Sequence, residues 1–590
     1  MRFYLVDDFS KDVFGMLYLP IIFWQMVLRL RPEKQAITNF PTRAISINGV
    51  TRRKKMSSKS INSIEKKQVW RIIISSILCA IGATGLTLMS LCQGYMIDAA
   101  ATSNRQTFIQ YALGVLCSIA LYWIGNVLGG KLSSNYVGIC SKLIKQSLMY
   151  SIIGRSLACF RKKDDSYYLN LLTNDMTIIQ DGRLNSIPTI VYCVVLLGSC
   201  LAALIFIQPI MILASVATAL PGFIIPTLLS KKLQRSKDQY SQCNESLTLK
   251  IKEGIEGNES IQLSCGEEGF LNEFDKANDK HEQALIKSRF ISILNSESVQ
   301  AASSLGSFAA VLVGCFCLMS GKLSYGMMNS AIMLSSIMIL PIVLIATKLG
   351  ELLSAKNISK KINEELLYEV QTTAKQSQLD SVSNPSIIYE SVSFGFADTP
   401  LFDNMSVNFS GKGCYLITGE SGCGKSTLIK LLLKYYDEYT GRILLNGVDV
   451  RDIPDKTLYS LIGVIEQSPY FFNASIKNNV TLFDNKDQDS FEEVIQRVNL
   501  NDLYNNHKDD LLGDFGDSIS GGERRRLSIA RALIKAPSIL IFDEPTAGLD
   551  GENAKKINDL IFSLDSSLRI VISHEREPSF IQRFDGVLEL

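Results

Sequence analysis

The stretch "GCYLITGESGCGKSTLIKLLL" carries the clearest chemistry in the chain. An apolar strand pattern runs into Gly419, Glu420, Ser421, Gly422, Cys423, Gly424, Lys425, Ser426 and Thr427, and an apolar-periodic helix follows. The spacing is G-x-x-x-x-G-K-S between a strand and a helix. Small residues there let backbone N–H groups close around phosphate oxygens, aided by the helix N-terminus. Lys425 is then placed for the β- and γ-phosphates and Ser426 for a magnesium ion, so the cofactors expected are ATP and Mg²⁺. A chance glycine-rich turn is the bland alternative, and the strand–loop–helix context opposes it.

Further along, "SILIFDEP" is an apolar strand ending in Asp543 and Glu544. The first acid suits a second Mg²⁺ ligand, and the next is placed to polarise a water for attack on the γ-phosphate. Paired acids at a strand end could be helix caps; beside a phosphate loop the catalytic reading ranks higher. The chain has only three histidines. His574 ends the apolar strand "LRIVIS", near the same sheet edge as Asp543, where a γ-phosphate contact is needed; His281 and His507 lie in polar surroundings and receive no role. Before the acids, "SISGGERRRLSIARAL" places Ser520, Gly521 and Gly522 ahead of a helix. That is a second anion cradle. One nucleotide does not need two cradles from one chain, so a two-fold dimer in which each cradle serves the partner's ATP is expected. The Arg524–Arg526 run reads as a solvated helix face.

These residues need a scaffold, and the composition indicates two kinds. The 590 residues are too many for one ordinary domain. At 47% hydrophobic and 20% charged, the chain suits a membrane part joined to a soluble part. A net charge of +2 gives no footprint for nucleic acid, and no nucleic-acid partner is expected. The 13 cysteines are scattered without a C-x-x-C pair and read as reduced, not as disulfide or zinc ligands; Cys315 and Cys317 are the closest pair.

A charge at the bilayer centre costs roughly 2.5–3.5 kcal/mol on insertion scales. Charge-free windows of about 20 residues are therefore diagnostic. They occur at 72–97, 106–130, 298–321 and 323–347, and a double-length window at 184–230 breaks at Gln208-Pro209. Six spans are expected. Lys54, Lys55, Lys66, Lys67 and Arg71 precede the first, and Lys142, Lys145, Arg155, Arg161, Lys162 and Lys163 follow the second. The loop at 98–105 and the turn holding Lys322 are nearly free of bases, which places the long loops and everything after Thr347 on the cytoplasmic side. The polar loops 131–183 and 231–297 are expected to continue the spans as cytoplasmic helices. A buried bundle of a soluble protein does not explain this charge asymmetry.

The boundaries expected are an extension at 1–69, a transmembrane domain at 70–350, a linker at 351–385 and an ATP-binding domain at 386–590. In the extension, "VFGMLYLPIIFWQMVLRLR" is apolar but short, is interrupted by Pro20, and lacks a cleavage site for a signal peptide. It reads as a membrane-lying helix, an extra span, or an extension upstream of a start at Met56; residues 1–55 are expected to be dispensable. No cysteine precedes Cys79 and no histidine precedes His281, so no N-terminal cysteine peptidase is expected.

Taken together, "GESGCGKST", "ISGGE", "ILIFDEP", "AGLD" and His574 resemble the nucleotide-binding domain of ATP-binding cassette (ABC) transporters. The resemblance implies more roles. Gln467 in "VIEQSPYFFNASIKNNV" matches the Q-loop, with a part in catalysis and in holding the metal. Phe396 in "VSFGF" matches the aromatic that stacks on adenine. Ser520, with Gly521, Gly522 and Glu523, matches the signature that faces the partner's γ-phosphate, and Asp550 matches the loop coupling the two sites. "FRKKDDSYYLNLLTNDMTII" and "EGIEGNESIQLSCGEEGFLNEF" look like the exporters' two intracellular loops with coupling helices. The fold class implied is an α-helical six-span transmembrane domain followed by an α/β P-loop nucleotide-binding domain with an antiparallel β subdomain and a helical signature subdomain. Two departures stand out: Ile519 opens the signature in place of leucine, and the chain stops at Leu590 without the usual C-terminal helices.

The function expected is a homodimeric half-transporter in the plasma membrane, of bacterial inner-membrane type, exporting a hydrophobic or amphipathic cargo. A small, for example antimicrobial, peptide ranks first; a lipid flippase or multidrug exporter is the alternative on the same scaffold. The spans offer Tyr122, Asn126, Tyr192 and Asn329 but no charge, so a compact charged solute has no counter-ion there. A soluble signature-motif ATPase is opposed by the spans. An ion-coupled carrier is opposed by the lack of intramembrane charge, and an importer subunit by the joining of both parts in one chain.

Overall fold

The computed structural model describes residues 60–367, 384–396, 399–484, 488–508, 510–512, 519–565 and 567–590, without a share of the side chains between 214 and 230 and those of 302 and 303. The extension up to residue 59, and the linker from 368 to 383, lie outside these. Two compact units result, Met1–Tyr150 with Tyr168–Tyr368, and Ser151–Tyr167 with Glu369–Leu590.

The first unit is helical: α1 (Ile61–Ala101), α2 (Arg105–Ile153), α3 (Ser186–Ile207), α4 (Ile210–Glu256), α5 (Glu267–Met319), α6 (Tyr325–Ile337) and α7 (Ile339–Leu366). Among the described residues, five helical stretches are long and apolar enough to cross a membrane: Ile61–Ala101, Arg105–Ile153, Asp165–Ile207, Glu267–Met319 and Tyr325–Leu366. The break at Gln208-Pro209 is where α3 ends and α4 begins, with Gln208 extended. A proline lacks an N–H and pushes the residue before it out of the helical region. The 49 residues of α2 reach roughly 70 Å at 1.5 Å each, against a hydrocarbon core of about 30 Å.

Small residues bring these helices together. A Cβ on Gly85 of α1 would stand 2.8 Å from the backbone nitrogen of Tyr122 on α2, and one on Gly125 would stand 2.7 Å from that of Gly82. Backbones this close need small side chains, as at apolar helix interfaces generally. Hydroxyls then reach carbonyls across the seam: Ser75 Oγ donates to Gly129 O at 2.8 Å, and Ser330 Oγ to Ser90 O at 2.6 Å. At the other end, Arg183 pairs with Glu65 at 2.7 Å and Lys361 with the nearly buried Asp175 at 2.6 Å.

The expected linker start at 351 is corrected: α7 continues to Leu366. Within the polar run Ala355, Ser359, Ile362 and Leu366 recur at helical spacing and are buried along one stripe, and Lys348 pairs with Glu351 one turn on at 2.6 Å.

The second unit contains two sheets. In the first, β1 (Ser386–Phe396), β2 (Thr399–Ser410), β4 (Thr440–Leu445) and β5 (Val448–Asp449) are antiparallel in the order β2-β1-β4-β5. In the second, β3 (Cys414–Thr418), β6 (Ile462–Ile465), β7 (Ile539–Asp543), β8 (Leu568–Ile572) and β9 (Gly586–Glu589) run parallel in the order β6-β7-β8-β3-β9. The sequence pattern separates them. β1 alternates buried and partly buried residues, whereas every residue of β8 is buried, as a parallel strand covered on both faces requires. Helices α8 (Lys425–Leu432), α9 (Gly521–Leu533) and α10 (Gly551–Ser563) flank the parallel sheet and carry the site. The buried Tyr389 hydroxyl donates to Leu428 O at 3.1 Å, tying the antiparallel sheet to α8. The short helix Leu157–Phe160 belongs to this unit, and Arg161 stands over the Tyr435 ring at 5.1 Å.

Candidate active site

The phosphate loop follows β3 and turns into α8. Gly419, Gly422 and Gly424 have φ of +149°, +87° and +106°, a region open to glycine. Gly424 has a second constraint, since a Cβ there would meet the Phe402 ring at 2.7 Å. Glu420, Ser421 and Gly422 are exposed at the rim, and Cys423 and Thr427 are half-buried. Lys425 is buried, and its ammonium donates to Gly419 O at 3.0 Å and Glu420 O at 2.7 Å, with Cys423 Sγ at 3.8 Å. Among the described residues no carboxylate pairs with it. A buried cation held by carbonyls alone lacks a counter-charge, and phosphate fits that need.

The acids arrive from β7. Ser426 Oγ donates to Asp543 Oδ1 at 3.3 Å, so a hydroxyl and a carboxylate converge beside the loop. Burial pushes the Asp543 carboxyl up; the Ser426 hydroxyl opposes this and the charge of Glu544 adds to it. Among the described residues no group of three His, Cys, Asp or Glu side chains is arranged to hold a metal ion. A hydroxyl with one carboxylate is the oxygen-only set that suits Mg²⁺ sharing its shell with phosphates and water.

Glu544 sits one residue past the strand with φ +47°, a left-handed conformation that a non-glycine residue holds only under constraint. The constraint is visible: its N–H donates to Ile572 O of β8 at 3.1 Å. Its carboxylate then meets two side chains. Gln467 Nε2 donates to Oε2 at 2.5 Å, and His574 Nε2 lies 3.1 Å from Oε1. Two residues far apart in sequence thus converge on the carboxylate of a third at the C-terminal edge of the parallel sheet.

The signature segment is organised around its own helix. Ser520 is the N-cap of α9 in a capping box: its Oγ accepts from Glu523 N at 3.3 Å, and Ser520 N donates to Glu523 Oε2 at 2.9 Å. Ser520 and Gly521 are exposed. A Cβ on Gly522 would touch Asn553 of α10 at 3.2 Å. Asp550 caps α10, accepting from Asn553 N at 2.9 Å and from Asn553 Nδ2 at 2.8 Å. Those bonds hold its carboxyl below the usual range. A cleft of about 340 Å³ is bounded by Gln467, Tyr470, Gly521, Arg525 and Gly548. Phe396 lies at the end of β1, half exposed, edge-on to Phe394 at 5.1 Å and Tyr436 at 5.5 Å.

The reading of Arg524–Arg526 as a solvated face is corrected. None of the three is exposed, and Arg525 is buried, donating from Nη1 to the carbonyls of Glu466 at 2.8 Å and Gln467 at 3.0 Å.

Comparison with known proteins gives this geometry its context. The family described as "ABC transporter transmembrane region" matches residues 72–342, and that described as "ABC transporter" matches residues 402–547. The chain belongs to the ABC transporters. It is 27% identical over 464 residues to an ATP-dependent lipid A-core flippase of Syntrophus aciditrophicus (strain SB), covering 76% of this chain and 75% of that one. It is 25% identical over 569 residues to multidrug resistance protein pgp-1 of Caenorhabditis elegans, covering 87% of this chain but 42% of that protein's length. A solved structure of a bacterial Atm1-family ABC exporter with ATP bound shares the fold, with a TM-score of 0.74 at 19% identity over 90% of this chain and 94% of that one.

This ABC transporter is therefore a multi-pass membrane protein that binds ATP and couples its hydrolysis to transport. Sequence reasoning missed Arg525 in this transporter. The sole signal was position, five residues past the Ser520 cap in a helix whose next turn is buried.

Proposed function

We propose that the chain is a half-transporter that works as a homodimer with two composite ATP sites and exports a hydrophobic or amphipathic molecule, a small peptide first. The observation that carries the ATPase half is the convergence of Gln467 and His574 on Glu544, beside the Ser426–Asp543 pair. Lys425 and the loop N–H groups hold the phosphates, and Phe396 meets the adenine. Ser426, Asp543 and Gln467 would hold Mg²⁺, which would supply charge neutralisation on the phosphates. Glu544 accepts the proton of the attacking water on a carboxylate oriented by Gln467 and His574. Ser520, Gly521, Gly522 and Glu523 present the partner's ATP with a helix N-terminus, and Asp550 links the two sites.

The cargo reading rests on the spans. We count six, with α4 as the fourth beside the five already described. Their windows hold Tyr122, Asn126, Tyr192 and Asn329 without an Asp, Glu, Lys, Arg or His to bind a compact ion. The membrane proposed is the bacterial inner membrane, with the ATPase unit in the cytoplasm. A lipid cargo is the second reading, favoured by the likeness to a lipid A-core flippase.

The test is ATPase stimulation in liposomes by candidate peptides, lipids and drugs, paired with a transport assay. Peptides that both stimulate and move support the first reading. Stimulation and movement of lipids alone overturn the peptide reading and leave the exporter standing. Movement only toward the ATPase side overturns export.

A further inference from the structure

We propose that Arg525 is a positioning residue for ATP hydrolysis: from the signature helix α9 it holds the backbone at Gln467, and so the amide that meets Glu544. The proposal rests on the roles given above to Gln467 and Glu544. Strand β6 ends at Ile465, so Gln467 lies beyond the sheet ladder, and its side chain is exposed. What fixes it is the Arg525 guanidinium, donating to the Glu466 and Gln467 carbonyls at 2.8 and 3.0 Å.

A second arginine on the same helix extends the hold. Arg531 donates from Nη1 to Tyr470 O at 2.7 Å and from Nε to Asn479 O at 2.9 Å, with its guanidinium 4.9 Å from the Phe471 ring centre. The segment from Glu466 to Asn479 is thus fastened to α9 at both ends. The helix that opens with the exposed Ser520 and the glutamine that orients the catalytic acid are one mechanical body. A displacement at the signature is felt at Gln467.

The electrostatics agree with the geometry. Arg525 is 6% exposed, and a guanidinium so buried is retained only where charge or hydrogen bonds offset its desolvation. Burial pulls its pKa down, and the nearby charges of Asp543 and Glu544 push it back up. A planar fork suits two adjacent carbonyls in a way a lysine ammonium matches only in part.

The test measures kcat and KM for ATP on the full-length transporter in liposomes. Its variants are Arg525→Met, Arg525→Lys, Gln467→Ala and the double Arg525→Met/Gln467→Ala, with Glu544→Gln as control. Arg525→Met is expected to lower kcat about tenfold, the scale of losing an outer support of a catalytic or metal-binding group, with KM unchanged. Arg525→Lys recovers part of the loss. The double variant is no slower than the slower single one, because the two residues act as a unit. Where Arg525→Met does not fold, Arg525→Gln, which keeps an N–H donor, replaces it in the same comparison. Wild-type kcat in the Arg525 variant, a change in KM alone, or losses that multiply in the double variant would each overturn the proposal. Wild-type turnover in Gln467→Ala overturns it together with the role of Gln467. An inactive Glu544→Gln in the same series leaves the ATPase reading intact.

Discussion

Two glycine loops face helix N-termini in the same unit, and they are built for different relations to their ligand. The phosphate loop surrounds a buried Lys425 whose acceptors are its own carbonyls, with Ser426 and Asp543 converging beside it. The signature loop closes on itself. Ser520 and Glu523 satisfy one another in a capping box, Asp550 and Asn553 do the same on the next helix, and Ser520 and Gly521 stand exposed. The first loop is a pocket with a missing counter-charge. The second is a finished, rigid edge. A pocket and an edge make one site when two chains meet, and this is the physical content of the homodimer proposal.

The largest separation between the loops is expected at the acid beside the pocket. Glu544→Gln removes the proton acceptor, and turnover should fall about 10²- to 10⁴-fold, the usual range for a general base, while ATP binding is retained. Turnover and equilibrium nucleotide binding on the same preparation check this. Next is the pocket cation. Lys425→Ala should weaken ATP binding by roughly 2–3 kcal/mol, the worth of hydrogen bonds to a charged group, or about 30- to 150-fold. Ser520→Ala should leave binding to the single chain unchanged and lower turnover if, as proposed, the edge acts on the partner's nucleotide. Equal loss of binding in both variants would erase the distinction. The smallest effect is conformational: Gly424→Ala places a Cβ at φ +106° against Phe402 and should cost about 1–3 kcal/mol in stability, read as a lower unfolding midpoint.

The contrast also explains what could be read from sequence. The phosphate loop is local, nine consecutive residues between a strand and a helix, so its chemistry was legible before any fold was known. Asp543, Glu544 and His574 were legible because apolar strands end at them, and a parallel sheet brings such ends to one edge. The bond from Gln467 to Glu544 was not, since it joins residues 77 apart through a loop beyond β6. Arg525 was misread because three consecutive arginines look like a solvated face, and only the packing of α9 turns the middle one inward. The polar run after 350 was misread for the opposite reason. Its buried residues Ala355, Ser359, Ile362 and Leu366 recur at helical spacing, but only two of them are large and apolar, and charges surround them in sequence. In the membrane unit, small residues at helix seams do their work by what they leave out, which charge-free windows do not register.

The most direct test of the shared site uses two impaired chains. Differently tagged Lys425→Ala and Ser520→Ala transporters are co-expressed, and the mixed dimer is isolated through both tags and assayed for ATP hydrolysis in liposomes. One composite site in that dimer combines both lesions, and the other combines the intact pocket of one chain with the intact edge of its partner. The account predicts that hydrolysis in the mixed dimer rises well above that of either variant alone. A mixed dimer no faster than its parents, with ATP binding to the Ser520→Ala chain intact, would contradict it.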